Sequence, residues 1–240
     1  MRFNLQPSTF TFQPCSLVTL LTLSTLCTLS TLSTLPEPEI ARRLRTAPAR
    51  AAHTPYPPEF FAEDPRRAAI LIPFTCIDGA WHLLFIRRTQ NENDRHGGQV
   101  AFPGGRVEAA DPDVITAALR EAEEEVGLMR ADVRILGQMY DFHSITNYMV
   151  TPVVGVFEWP YSLHIDPHEV SRAFTIPLAW LANPDNVQVM QRHLPQSNPW
   201  PIIYFDPYDG EALWGFTAQV VVQLLGMLGD QRPFPVPSKV

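Results

Sequence analysis

The sequence predicts a layered fold of the α/β or α+β class, on three observations. Short apolar runs separated by turn residues read as strands. Two substantial amphipathic helices are interleaved with them. No internal repeat occurs beyond the first 58 residues. A chain of 240 residues accommodates one domain with an appendage at roughly 150 residues per domain, and buries a core without covalent staples. Cys15 and Cys27 lie in an atypical N-terminal tract, and Cys76 is the only other cysteine. That excludes a disulfide scaffold and a cysteine-ligated zinc site.

Taken in order, residues 1–58 read differently from the rest. No charged residue occurs between Arg2 and Glu37, and positions 19–35 repeat Thr-Leu-Ser with small variations. Leu at every third position suits neither a helix face nor a strand. A secretory signal, a membrane anchor and low-complexity sequence translated from upstream of the true start are the alternatives. Ser and Thr interrupt the apolar tract throughout, which favours low complexity. Glu37–Leu44 reads as a short helix, and Thr54–Pro65 as a proline-rich linker or ordered arm. The expected division is a low-complexity or disordered tail and linker over 1–58 and a folded domain over 59–240, in a cytoplasmic protein.

From Arg67 the pattern is globular. Ala68–Ile77 and Trp81–Arg88 flank an Asp78-Gly79 turn and predict a hairpin. A polar loop, Asn91–Gly98, leads to a strand at Val100–Phe102 and then to Pro103-Gly104-Gly105. A helix is expected over Pro112–Val126, with Asp111 as cap, Pro112 at its first position and Gly127 as its stop. Its buried face is Ile115, Ala118, Leu119, Ala122 and Val126. Val133–Tyr140 and Val150–Phe157 read as strands, Phe174–Leu181 as a strand end feeding a helical turn, Ile202–Phe205 as a short strand and Glu211–Leu228 as a closing helix.

The net charge of −7 argues against duplex nucleic acid as a partner, because phosphate binding needs a basic surface. The acidity is also local. Residues 1–58 hold five Arg against two Glu, leaving −10 on 59–240, and Gly105–Asp132 has eight acids against three Arg. Within that stretch Glu121, Glu124 and Glu125 fall three and four apart on one arc of the predicted helix, beside its apolar face. Carboxylates so spaced repel one another by a few tenths of a kcal/mol per pair, a cost that a divalent cation reverses. A merely solvated acidic face is the plainer account of three Glu alone. The surroundings weigh against it: Gly104-Gly105 lets backbone approach a ligand closely, and Arg120 is placed to organise the carboxylates.

Gly105, five residues, Asp111, eight residues, then Arg120-Glu121-Ala122-Glu123-Glu124-Glu125-Val126-Gly127-Leu128 resembles the Nudix box. Asp at 111 and the long spacing before Arg120 are similar to the coenzyme A pyrophosphatase branch of the Nudix hydrolases. Gly98-Gln99-Val100-Ala101-Phe102-Pro103, Val150-Thr151-Pro152, Asp166-Pro167-His168-Glu169-Val170, Ile176–Leu181 and Trp214–Ala218 resemble that branch as well. One departure bears on specificity. The branch carries Arg four residues before the glycine matched to Gly98, where Asp94 stands here, with Arg95 one place later.

The resemblance implies an α/β/α sandwich with a mixed central sheet, and hydrolysis of a diphosphate with Mg²⁺ or Mn²⁺ as cofactor. The substrate it implies is coenzyme A or a derivative, giving adenosine 3′,5′-bisphosphate and 4′-phosphopantetheine. The alternatives are another nucleoside diphosphate derivative, such as ADP-ribose or a dinucleotide, and a non-catalytic nucleotide-binding module. The expected metal ligands are Glu124, Glu125, Glu121 and the Gly105 carbonyl. Glu121 doubles as a candidate base, Arg120 is an orienter, and Glu169 is a candidate base from outside the box. Asp111 is expected to cap the helix and pair locally, and Glu123 to be solvated. Arg87, Arg88, Arg95 and Gly104 are candidates for substrate binding. His96 reads as a structural hydrogen-bonding group, and Trp214 and Phe216 as core. The expected partner is a small nucleotide, with no nucleic acid and no membrane; nothing in the sequence sets an oligomeric state.

Overall fold

A computed structural model describes residues 32–47, 61, 63–90, 96–192 and 200–229 of the chain. An eight-stranded mixed sheet forms the centre. Its strands are β1 (Arg66–Ile77), β2 (Ala80–Arg88), β3 (Val100–Ala101), β4 (Gly104–Arg106), β5 (Arg134–Gln138), β6 (Phe142–His143), β7 (Tyr148–Val156) and β8 (Val170–Pro177). β1 runs parallel to β7, and the other pairings are antiparallel. The predicted hairpin turns through Asp78 and Gly79, both at positive φ. Beyond it β1 and β2 separate, and the 100–106 segment fills the opening. It pairs first with β2 (Arg87↔Val100) and then with β1 (Ala69↔Gly105). That crossover delivers Gly104 and Gly105 to the middle of the molecule as strand rather than loop.

Strand alternation divides the core in two. Ala69, Leu71, Leu84, Ile86 and Val153 face a helix over Val114–Val126, here the second helix, α2, while Ile72, Phe74, Leu83, Phe85 and Val154 face the other side. That other side is covered by α1 (Glu37–Thr46), the short α3 (Leu178–Leu181) and α4 (Gly215–Met227). The α/β class and the mixed sheet expected from the sequence are therefore observed. A separate ribbon pairs β9 (Val187–Arg192) with β10 (Trp200–Phe205). Ile202–Phe205 is expected as a strand and forms part of β10; β9, although the Asn183–Asn186 turn precedes it, is found only in the structure.

The expected boundary at residue 58 is corrected by α1. Leu32, Leu35, Ile40 and Leu44 are buried in the same core as Trp81, Leu224 and Leu228. The Trp81 indole donates to the Leu35 carbonyl at 2.6 Å, Arg43 donates to the Leu228 carbonyl, and Glu37 pairs with Arg134 of β5 at 2.8 Å. Low-complexity composition hid this because only four apolar side chains dock. Two of them, Ile40 and Leu44, lie one helical turn apart. The last helix also starts later than expected, at Gly215 rather than Glu211, because Tyr208–Glu211 closes a turn ahead of it. Most of the 1–58 tract, including the Thr-Leu-Ser repeat before residue 32, lies outside the described residues. Among the described residues no helix is long and apolar enough to cross a membrane.

Candidate active site

α2 carries the acidic cluster, and its start differs from expectation. Asp113, not Asp111, caps it, accepting from the Thr116 N–H at 2.8 Å. Asp111 closes the preceding turn by accepting from the Glu108 N–H at 2.8 Å, and it also receives Arg120 Nε at 3.1 Å. Proline at 112 allowed either aspartate to serve as cap; the turn geometry chose the second. Gly127 ends the helix at φ 68°, as its sequence predicts. Val114, Ala117, Ala118, Ala122 and Val126 are buried on the sheet, with Ile115 and Leu119 partly so.

Arg120 gathers four groups. Its guanidinium meets Asp111 at 3.1 Å, Glu121 Oε1 at 3.0 Å, Glu124 Oε2 at 2.9 Å and the Arg106 carbonyl at 3.0 Å. The fork of a guanidinium suits this role, since it presents several fixed donors to separate oxygens. Glu124 remains largely solvent-exposed, while Glu121 lies under the chain at Gly105. A Cβ at Gly105 would stand 2.5 Å from the Glu121 carboxylate, so only glycine permits this approach. Glu125 is the buried member, at 2% side-chain exposure. Its Oε2 accepts from the Gly104 N–H at 2.9 Å, and its Oε1 is 3.9 Å from Arg88 Nη1. Glu123 turns away to Arg130, at 2.5 Å, so it is paired rather than simply solvated.

The electrostatics of these carboxyls are unusual for their type. Burial pushes Glu125 up to about 8, partly offset by the Gly104 N–H and Arg88, with Glu121 and Glu169 adding repulsion. Burial likewise raises Glu121; Arg120 opposes this, and Glu124 and Glu169 add to it. Such a set of hard oxygen donors, with its protons held by repulsion and desolvation, suits a divalent cation of the Mg²⁺ or Mn²⁺ type. Among the described residues no three acidic, histidine or cysteine side chains already converge on one point. The Arg120 fork instead spans Glu121 and Glu124, oxygens a cation would have to share.

The remaining predicted residues divide. Glu169 is exposed on the turn before β8, close enough to act electrostatically on both Glu121 and Glu125. Its segment is tied to the end of α2, where the Asp166 N–H donates to the Glu125 carbonyl at 3.0 Å and the Thr89 N–H donates to the Glu169 carbonyl at 2.8 Å. Arg88 faces this site. Arg87, its neighbour on the strand, points to the other side of the sheet, where it meets Ser171 Oγ at 3.0 Å and Glu211 at 3.4 Å. The pleat thus puts these two candidate substrate-binding arginines on opposite faces, with Arg88 beside the carboxylates. Glu211 is buried, and Arg172 of β8 takes its Oε1 at 2.9 Å and also reaches Asp209. Nothing in the sequence links Arg87, Arg172 and Glu211, which come together only across paired strands. Arg95 lies outside the described residues. His96 meets the Gln99 amide at 3.1 Å. Phe216 packs against the core, but Trp214 is partly exposed and stacks on Tyr204, with ring centroids 5.7 Å apart.

Comparison with known proteins agrees with this geometry. The NUDIX domain family matches residues 64–196. A Photorhabdus laumondii protein named uncharacterized Nudix hydrolase NudL is 36% identical over 170 residues, covering 71% of this chain and 89% of its own length. Its Yersinia pestis namesake is 34% identical over 165 residues, covering 69% and 81%. Among solved structures, a MutT/nudix family protein from Enterococcus faecalis is similar at 15% identity and TM-score 0.43, with 73% of this chain and 71% of that one covered. With the Gly105–Leu128 box built on α2 and relatives of this identity along most of its length, the chain belongs to the Nudix hydrolase family.

Proposed function

We propose that this Nudix hydrolase cleaves the diphosphate of coenzyme A or a derivative, releasing adenosine 3′,5′-bisphosphate and 4′-phosphopantetheine. The observation that carries the hydrolytic part is the placement of Glu125 and Glu121 against the Gly104-Gly105 backbone, with Arg120 holding Glu121 and Glu124. The coenzyme A part rests on the sequence: Asp111, the eight residues before Arg120 and the flanking segments similar to that branch.

Glu124 and Glu125 are the proposed ligands of Mg²⁺ or Mn²⁺, with Glu121 and the Gly105 carbonyl completing the set. Such an ion, when bound, neutralises diphosphate charge and acidifies water. Arg120 is a positioning residue, holding Glu121 and Glu124 in fixed relation to the chain at Arg106. Arg88, 3.9 Å from Glu125 on the same face, is the proposed contact to a substrate phosphate. Water adds to one phosphorus as the bridging P–O bond breaks, and its proton passes to a carboxylate. Glu169 is the proposed acceptor, being exposed on the turn before β8 and within electrostatic reach of Glu121 and Glu125.

The test is turnover by the full chain with Mg²⁺ or Mn²⁺ on coenzyme A, ADP-ribose and dinucleotides, with products read by mass. Release of the two named products is expected. ADP-ribose turnover with coenzyme A intact overturns the substrate, and no turnover across the set favours a binding module. Glu169→Gln should remove the limb of the pH–rate profile that reports the base; if Glu121→Gln does so instead, the base lies within the box.

A further inference from the structure

Strand alternation along β4 sends Gly105 toward Glu121 and Arg106 to the opposite face of the sheet. There Arg106 meets two residues from neighbouring strands. Arg66 begins β1 and pairs in register with Tyr148 at the start of β7, while Ala68 pairs with Arg106. Both guanidiniums lie on the Tyr148 ring, Arg66 at 5.3 Å and Arg106 at 5.7 Å from its centroid, and Arg106 Nε donates to the phenol oxygen at 2.8 Å. Arg87, Arg88, Arg120 and Arg172 each stand 2.9–3.9 Å from a carboxylate oxygen. Among the described residues Arg66 and Arg106 have no such partner; the ring alone orients them, and both are exposed.

β4 pairs only with β1, so its other edge has no strand partner among the described residues. Gly104 and Gly105 carry no side chain of their own at that edge, and the carboxylates lie on one face of it with the two guanidiniums on the other. We infer that Arg66 and Arg106, oriented by Tyr148, form a subsite for a phosphomonoester that the substrate carries away from the scissile diphosphate. Guanidiniums suit a phosphomonoester dianion by charge and by forked donors. This inference rests on the coenzyme A reading for the identity of the group, the ribose 3′-phosphate.

The full chain is compared on coenzyme A and dephospho-coenzyme A, which differ by that phosphate alone. The ratio of their kcat/KM values should fall by at least ~10-fold in Arg66→Gln/Arg106→Gln, and by less in Tyr148→Phe, which keeps the ring but removes the acceptor for Arg106. A ratio equal to that of the unaltered chain overturns the subsite and leaves the coenzyme A reading standing. Arg66→Gln alone replaces the double variant if that one loses its folded circular dichroism. If neither compound is turned over, the substrate reading has failed and calorimetry decides the subsite. Adenosine 3′,5′-bisphosphate should then bind more tightly than adenosine 5′-monophosphate, with the preference lost in the variant; equal binding overturns the inference.

Discussion

The two faces of the central sheet handle charge in opposite ways. On the α2 face, Glu121, Glu124 and Glu125 stand within one helical turn of one another, one of them buried with its carboxyl raised to about 8. On the other face a buried carboxylate, Glu211, is matched by Arg87 and Arg172, and three helices close an apolar core around it. The carboxylate cluster accepts local electrostatic cost, whereas the charges around Glu211 are matched beside an apolar core that supplies stability. The difference is the one expected when a cluster of like charges sits on a rigid scaffold, since such a cluster is less stable than its surroundings.

Four changes break or sharpen that contrast. Deleting residues 1–47 strikes the stabilising face hardest. It removes four buried side chains at about 1.5–3 kcal/mol each, on the order of 6–12 kcal/mol, which is comparable with the stability of a whole domain. Thermal unfolding of the shortened chain should show no cooperative transition near that of the full chain; an unchanged Tm would mean that α1 does not dock. Glu124→Gln strikes the other face. Its side chain is exposed, so Tm should stay within a degree or two while kcat falls by roughly 10²-fold or more. Parallel loss of Tm and rate would show that the two faces are not separable.

Glu211→Ala tests the matched charges. It leaves two partly exposed guanidiniums beside a small void, for an expected loss of about 1–3 kcal/mol in denaturant titration, with the carboxylate site untouched. Glu125→Gln should do the reverse. A carboxyl raised from 4.5 to about 8 on folding adds stability that is complete below pH 4.5 and is lost as pH rises through 8. In metal-free protein the variant should therefore gain in Tm relative to the unaltered chain as pH rises from 5 to 9, while losing activity. A Tm difference independent of pH would place that proton elsewhere.

Much of this was legible along the chain because it is local. The Asp78-Gly79 turn, the Gly127 stop and the three-and-four spacing of the glutamates depend on residues within a few positions of one another, so the hairpin, the helix end and the acidic arc could be read directly. Asp111 against Asp113 shows where local signals run out. Both are acceptable caps, and Asp111 is engaged instead by the turn at Glu108 and by Arg120, nine residues away. The docking of Leu32–Thr46 was invisible because a few apolar residues in a biased composition acquire meaning only when Trp81 and Leu228 are beside them.

By itself the sequence determined which groups lie on one helix: a helical repeat converts spacing into direction, so Glu121, Glu124 and Glu125 had to share an arc wherever α2 came to rest. Only the tertiary structure decided which of them is buried, because that depends on how the 100–106 segment enters the opening between β1 and β2 and lays Gly104 and Gly105 over Glu125 and Glu121. It likewise decided that Arg87 and Arg88, adjacent in the chain, serve opposite faces. Neighbours on a strand point apart, and which side holds the chemistry is set by the helix that packs there.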